Sequence, residues 1–132
     1  MKEALDEQSR IALVKYRIER ANETMKESAL LANEGYYNAA VNRLYYACFY
    51  AVQALFVKYN VSAESHAGVK TMFGLHFVSK GLIDKEYGKI FSRLFEIRHS
   101  GDYDDFVYND KSVVDEYTPK ADAFIERISE LL

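Results

Sequence analysis

The sequence predicts an all-α protein, an antiparallel bundle of five helices joined by short loops. Three observations carry that prediction. Apolar residues recur every three or four positions through most of the chain. One proline and six glycines leave few points where a helix must stop. Hydrophobic residues make up 49% and charged ones 28%, an ordinary globular balance far from that of a disordered chain.

The first helix follows from Ile11, Val14, Ile18, Ala21, Met25, Ser28 and Ala32, a seam of heptad type that ends at Asn33, Glu34 and Gly35. Gly35 suits a left-handed cap. From Tyr36 to Tyr59 the polar side chains, tyrosine hydroxyls aside, are Asn38, Asn42, Arg43, Gln53 and Lys58. A helix so apolar needs partners on most sides, and is expected to be central, packed on the core and in part on a second subunit. Its alanines allow close approach of neighbouring backbones.

Asn60 to Ser65 reads as a connection, with Ser62 or Ser65 capping a third helix from His66 to Ser79 that stops at Lys80-Gly81. Asp84 is expected to cap a fourth helix through Arg98, loosened or ended by Gly101. The last helix runs from Lys111 to Leu132, with Pro119 as a kink or an internal restart. No internal repeat or low-complexity tract interrupts the chain, and a length of 132 residues suits one domain over 1–132.

A formal charge of −3 excludes nucleic-acid binding through a broadly cationic surface, so any such contact must be local. Eleven Tyr and eight Phe, with no Trp, supply rings that suit cores and the centres of interfaces alike. Cys48 is the sole cysteine; it sits in an apolar run, reads as core, and fits a reduced cytoplasmic location. The opening MKEALDEQSRIALVKYRIER lacks the apolar stretch of a secretory signal. No apolar run approaches the ~20 residues that span a bilayer, so no membrane role is expected.

His66, His76 and His99 lack the three- or four-residue spacing of metal ligands on one helix face, and no metal or other cofactor is expected. Glycine-rich phosphate loops and a serine nucleophile elbow are absent from the sequence. What remains is Arg98-His99-Ser100-Gly101-Asp102-Tyr103-Asp104-Asp105, eight residues with six ionisable side chains: a guanidinium, an imidazole, a phenol and three carboxylates. One reading is a site that positions or cleaves a phosphodiester; the plainer one, which composition alone favours, is a helix end with solvated charges. Arg43, mid-helix in the most apolar segment, calls for an ion pair with Asp102 or Glu96 in preference to a role in substrate binding. His66 reads as a helix-start residue, with a supporting role in the site as the alternative.

The runs Tyr36 to Ala47, His66-Ala67-Gly68-Val69, Phe73-Gly74 with His76-Phe77-Val78, and Arg98 to Tyr103 resemble the HEPN family, the higher eukaryote and prokaryote nucleotide-binding domains. The resemblance spans nearly the whole chain, with its four segments in the family's order. It implies a four-helix up-and-down bundle with an additional short helix, and a homodimer whose sites face each other. It also implies a minimal nucleotidyltransferase as partner in a toxin–antitoxin pair, and, in active members, metal-independent endoribonuclease activity.

The family motif is an arginine, a polar residue, and a histidine a few positions on. Arginine neutralises charge growing on the phosphate while histidine moves protons. Arg98 matches the arginine and His99 the polar residue, whereas Tyr103 stands at the histidine's place. A phenol with a pKa near 10 is a poor base at neutral pH. A second register, Arg93 with His99, puts Leu94 where a polar residue belongs.

Two functions are therefore expected as alternatives. One is an RNA-cleaving, toxin-like protein acting through Arg98 with His99 or Tyr103, supported by Arg43, Asp102 and His66. In it, Tyr103 is also the candidate acceptor of a nucleotide from the transferase. The other is a non-catalytic protein that grips a nucleotide or the partner transferase.

Overall fold

The computed structural model describes residues 5–103 and 108–132, and for residues 101–103 the backbone alone. Asp6 opens the first helix by accepting the Ser9 N–H at 2.7 Å, and α1 runs over Glu7–Asn33. It stops as the sequence predicts. Gly35 takes φ +83°, and the N–H groups of Tyr36 and Gly35 close on the carbonyls of Leu31 and Ala32 at 2.9 and 3.0 Å. This cap satisfies two otherwise orphaned carbonyls and reverses the chain.

The second helix, α2 (Tyr37–Tyr59), returns antiparallel to α1. Near the turn, buried Ser28 donates through Oγ to the Ala40 carbonyl at 2.8 Å; at the far end Arg10 donates to the Val57 carbonyl. The expected seam of α1 is only partly inside. Ala21 and Ser28 are buried and Ile11 is 60% exposed, while Thr24, absent from the predicted seam, is fully buried with its hydroxyl bonded to the Arg20 carbonyl at 2.6 Å. A satisfied hydroxyl is tolerated in the core, which is why a threonine takes the place expected of an apolar residue.

As expected, α2 is central: Leu44, Tyr45, Ala47, Cys48, Ala51, Val52 and Leu55 are all fully buried. The other helices of the same chain cover it, so its apolar circumference does not by itself demand a second subunit. It ends at Asn60 in the left-handed conformation, φ +58°, with the Val61 N–H returning to the Phe56 carbonyl. Burial pushes the Cys48 thiol well above its ordinary pKa, which keeps it protonated.

Ser65 caps α3 (His66–Phe73), its Oγ accepting the Gly68 N–H at 2.9 Å. The predicted single helix to Ser79 is instead two segments, because Gly74–Val78 widens to π-helical bonding, with Ser79 N–H on the Gly74 carbonyl. That turn seats Phe77 in the core, stacked on Phe56.

The next helix, α4 (Lys85–Tyr103), continues two residues past Gly101, where it was expected to loosen or end. One glycine costs a helix only ~1 kcal/mol, too little to end one anchored by buried Phe91 and Leu94. Asp110 caps α5 (Lys111–Ser129), which runs through Pro119 without restarting. The missing proline N–H leaves the carbonyl of Asp115, an exposed residue, for water to serve.

The α5 helix lies parallel to α2. Asn109 N–H bonds Asn38 Oδ1 at one end, and Lys58 Nζ bonds the Leu132 carbonyl at the other. With α4 antiparallel to α2, the arrangement is the predicted up-and-down four-helix bundle, α3 and its π-turn forming the extra element between α2 and α4. Among the described residues no helix is long and apolar enough to cross a membrane.

Candidate functional site

The site forms where α2, α3 and the last turns of α4 meet. Tyr45 and Tyr46 are neighbours on α2 and so point about 100° apart. Tyr45 is buried and Tyr46 half-buried. The Arg98 guanidinium of α4 lies over both rings, 5.6 Å from the centroid of Tyr45 and 5.3 Å from that of Tyr46, and its Nη2 donates to the Tyr46 hydroxyl at 3.1 Å. Such cation–π contacts hold the charge in place while leaving it a cation.

His66 reaches the same two rings from the first turn of α3. Its Nδ1 is 2.8 Å from the Tyr45 hydroxyl; its ring stacks on Phe49 at 4.4 Å and stands edge-on to Tyr46 at 5.6 Å.

Burial lowers the His66 pKa below its ordinary value, and the nearby Arg98 charge lowers it further. Burial raises that of the Tyr45 phenol, against a smaller opposing pull from Arg98. At neutral pH the pair is thus a neutral phenol bonded to a neutral imidazole beside a permanent cation.

Of the predicted residues, the structure brings Arg98 and His66 together. His99, next along α4, is exposed on a different side of the helix. Tyr103 closes α4, but its side chain and that of Asp102 lie outside the described residues, as do Asp104 and Asp105. Arg93 is exposed and pairs with Glu96 at 3.4 Å.

Arg43 does not make the predicted pair with Glu96. Its ion pair among the described residues is to Glu27 of α1, at 3.6 Å, with Asn42 Oδ1 accepting from its Nη2 at 2.9 Å, and its guanidinium lies 4.9 Å from the centroid of Tyr46. The reason is rotational: its side of α2 adjoins α1, whose Glu27 comes within reach. Tyr45, Tyr46 and Phe49 were not singled out from sequence as site residues. The signal was present as hydroxyl-bearing rings repeated mid-helix in an otherwise apolar run.

Among the described residues no group of three or more His, Cys, Asp or Glu side chains is placed to hold a metal. A separate cleft of about 390 Å³ lies between the start of α1 and the connection after α2, lined by Leu13, Arg17, Gln53 and Ala63 among others, and includes neither Arg98 nor His66.

Fold and site together define an all-helical bundle with an arginine–imidazole centre on an aromatic wall. The HEPN domain model matches residues 14–131, and the chain belongs to the HEPN domain family. A UPF0332 protein of Thermotoga maritima is 37% identical over 120 residues, covering 91% of this chain and 91% of that protein. A Methanocaldococcus jannaschii protein named "Putative toxin" is 36% identical over 118 residues, covering 87% of this chain and 85% of its own length. A second protein of that organism with the same kind of name is 29% identical over 115 residues, 87% of this chain and 78% of that one.

Proposed function

We propose that this HEPN protein is the toxin-like half of a two-gene module with a minimal nucleotidyltransferase, and that it cleaves RNA without a metal at the Arg98 site. Family membership and the names of two relatives support the module. The observation that carries the chemistry is the half-buried Arg98 guanidinium, held over Tyr45 and Tyr46 with an imidazole on the same rings. A fixed cation is suited to the charge that grows on a phosphate as its ester bond breaks.

Incubation of the purified protein with total RNA in EDTA should yield fragments with cyclic phosphate ends. Arg98→Ala should lower the rate at least tenfold, more than ~1.4 kcal/mol in barrier, with folding intact. Activity abolished by chelation would instead favour a carboxylate-bound metal at Asp102, Asp104 and Asp105.

In the module reading Tyr103 accepts a nucleotide from the transferase, which places an anionic phosphodiester near Arg98 and blocks the substrate phosphate. A second reading rests on Tyr103 occupying the motif histidine's position. In it the same site binds a nucleotide, or the transferase, without breaking bonds.

A further inference from the structure

Tyr103, at the place of the motif histidine, is a phenol, and His99 is exposed on a side of α4 other than that of Arg98. We infer that His66 supplies the proton-transfer group, with Tyr45 as the residue that positions it, an inference that rests on the ribonuclease reading above.

The geometry is specific to this one histidine. Arg98 lies 5.6 and 5.3 Å from the centroids of Tyr45 and Tyr46; the His66 ring lies 5.7 and 5.6 Å from the same two. Guanidinium and imidazole thus share one wall although 32 positions separate them in the chain. His76 takes no part in this cluster.

The His66 ring is held at two places. Phe49 packs on its face, and the Tyr45 hydroxyl bonds Nδ1. Among the described residues Nε2 makes no hydrogen bond, and the ring is half-buried, so the second nitrogen is open to a substrate. This is the arrangement of a base oriented by a third group.

Among the described residues the titratable and charged groups around the ring are Tyr45 and Tyr46 of α2, Arg43 beyond Tyr46, and Arg98 of α4. One turn along α3, Lys70 lies over Phe95. Burial and the Arg98 charge both favour the neutral imidazole, the form a base requires.

In the step inferred, Nε2 takes the proton of the ribose 2′-hydroxyl. The 2′-oxygen bonds to phosphorus as the bond from phosphorus to the 5′-oxygen breaks, and the departing oxygen takes a proton from water. The products are a 2′,3′-cyclic phosphate and a 5′-hydroxyl; the imidazolium then releases its proton to water. The step uses the tautomer in which Nδ1–H donates to the Tyr45 oxygen, a bond that holds the ring in both charge states, while Arg98 binds the phosphate oxygens.

The test uses the full chain, an RNA oligonucleotide and EDTA. His66→Asn and His66→Gln should each lower kcat by about a hundredfold or more with circular dichroism unchanged. Tyr45→Phe should lower kcat about tenfold while KM stays within about twofold, the split expected of a positioning residue. The wild-type pH profile should rise through an inflection below 6.5 that the His66 variants lack. On binding the 2′-deoxy oligonucleotide, the His66 imidazole should titrate at higher pH in NMR, because a phosphate anion now stabilises its charged form. Variants at His66 that cleave like wild type, beside an inactive Arg98→Ala, would overturn this inference and leave the ribonuclease reading standing. Absence of cleavage by the wild type would overturn both.

Discussion

At the residue scale, the Tyr45–His66 pair couples the site to acidity. The folded pKa of His66 lies below its ordinary value, so the unfolded chain takes up the proton more readily as pH falls. Its contribution to stability is therefore complete above about pH 6.5 and lost as pH drops through the folded pKa. Urea unfolding at pH 7.5 and 5.0 should show the wild type weakening over that interval, and His66→Gln should flatten the change. The helix-capping carboxyls do not confuse the measurement. Asp6, lowered chiefly by the Ser9 N–H, and Asp110, lowered chiefly by the Ser112 hydroxyl, lose their contribution only at more acid pH. An equal pH response in both proteins would mean that His66 titrates alike in the folded and unfolded chain.

At the scale of elements, the two ends of α1 and the start of α5 are local events. Asp6, Gly35 and Asp110 each satisfy backbone groups within a few residues of themselves, and that is why the boundaries at Gly35 and Lys111 were legible in the sequence. Gly35 and Gly74 make a matched test of this view. An added Cβ at either would meet nothing within 4 Å, but Gly35 has φ +83° and Gly74 has φ −59°. Gly35→Ala should destabilise by about 1–2 kcal/mol, the cost of a left-handed L-residue, whereas Gly74→Ala should be neutral or stabilise by up to ~1 kcal/mol. Denaturant midpoints measure both, and equal shifts would refute the conformational account. The passage of α4 through Gly101 and the π-turn at Gly74 were not legible. Packing of Phe77 and Leu94 against other helices decides them, and no neighbour in sequence reports it.

At the scale of the molecule, the proposed module calls for a homodimer that a minimal nucleotidyltransferase modifies. Co-expression with a minimal nucleotidyltransferase of the kind proposed, followed by native and denaturing mass spectrometry, tests both points. The native mass should be about twice the 15.2 kDa chain mass, and peptide mapping should place an added nucleotide on Tyr103. A monomeric native mass would remove the facing-site arrangement, and the site would still hold Arg98, His66 and Tyr45, all from one chain. Modification confined to other residues, with a transferase shown to be active, would count against Tyr103 as the acceptor.

The sequence by itself determined that this chain is helical and that Tyr36 to Tyr59 is central, and it marked Arg98 as a candidate site residue. Each of these rests on short-range information: apolar spacing along one helix, or a motif within a few residues. Only the tertiary structure decided which side chains stand beside Arg98. It turned Arg43 to Glu27 and left His99 exposed on another side of α4. It also brought His66, from a separate helix, to the rings on which Arg98 rests. Those placements depend on how α3 and α4 are rotated against α2, and that rotation is set by aromatic packing spread over the whole core.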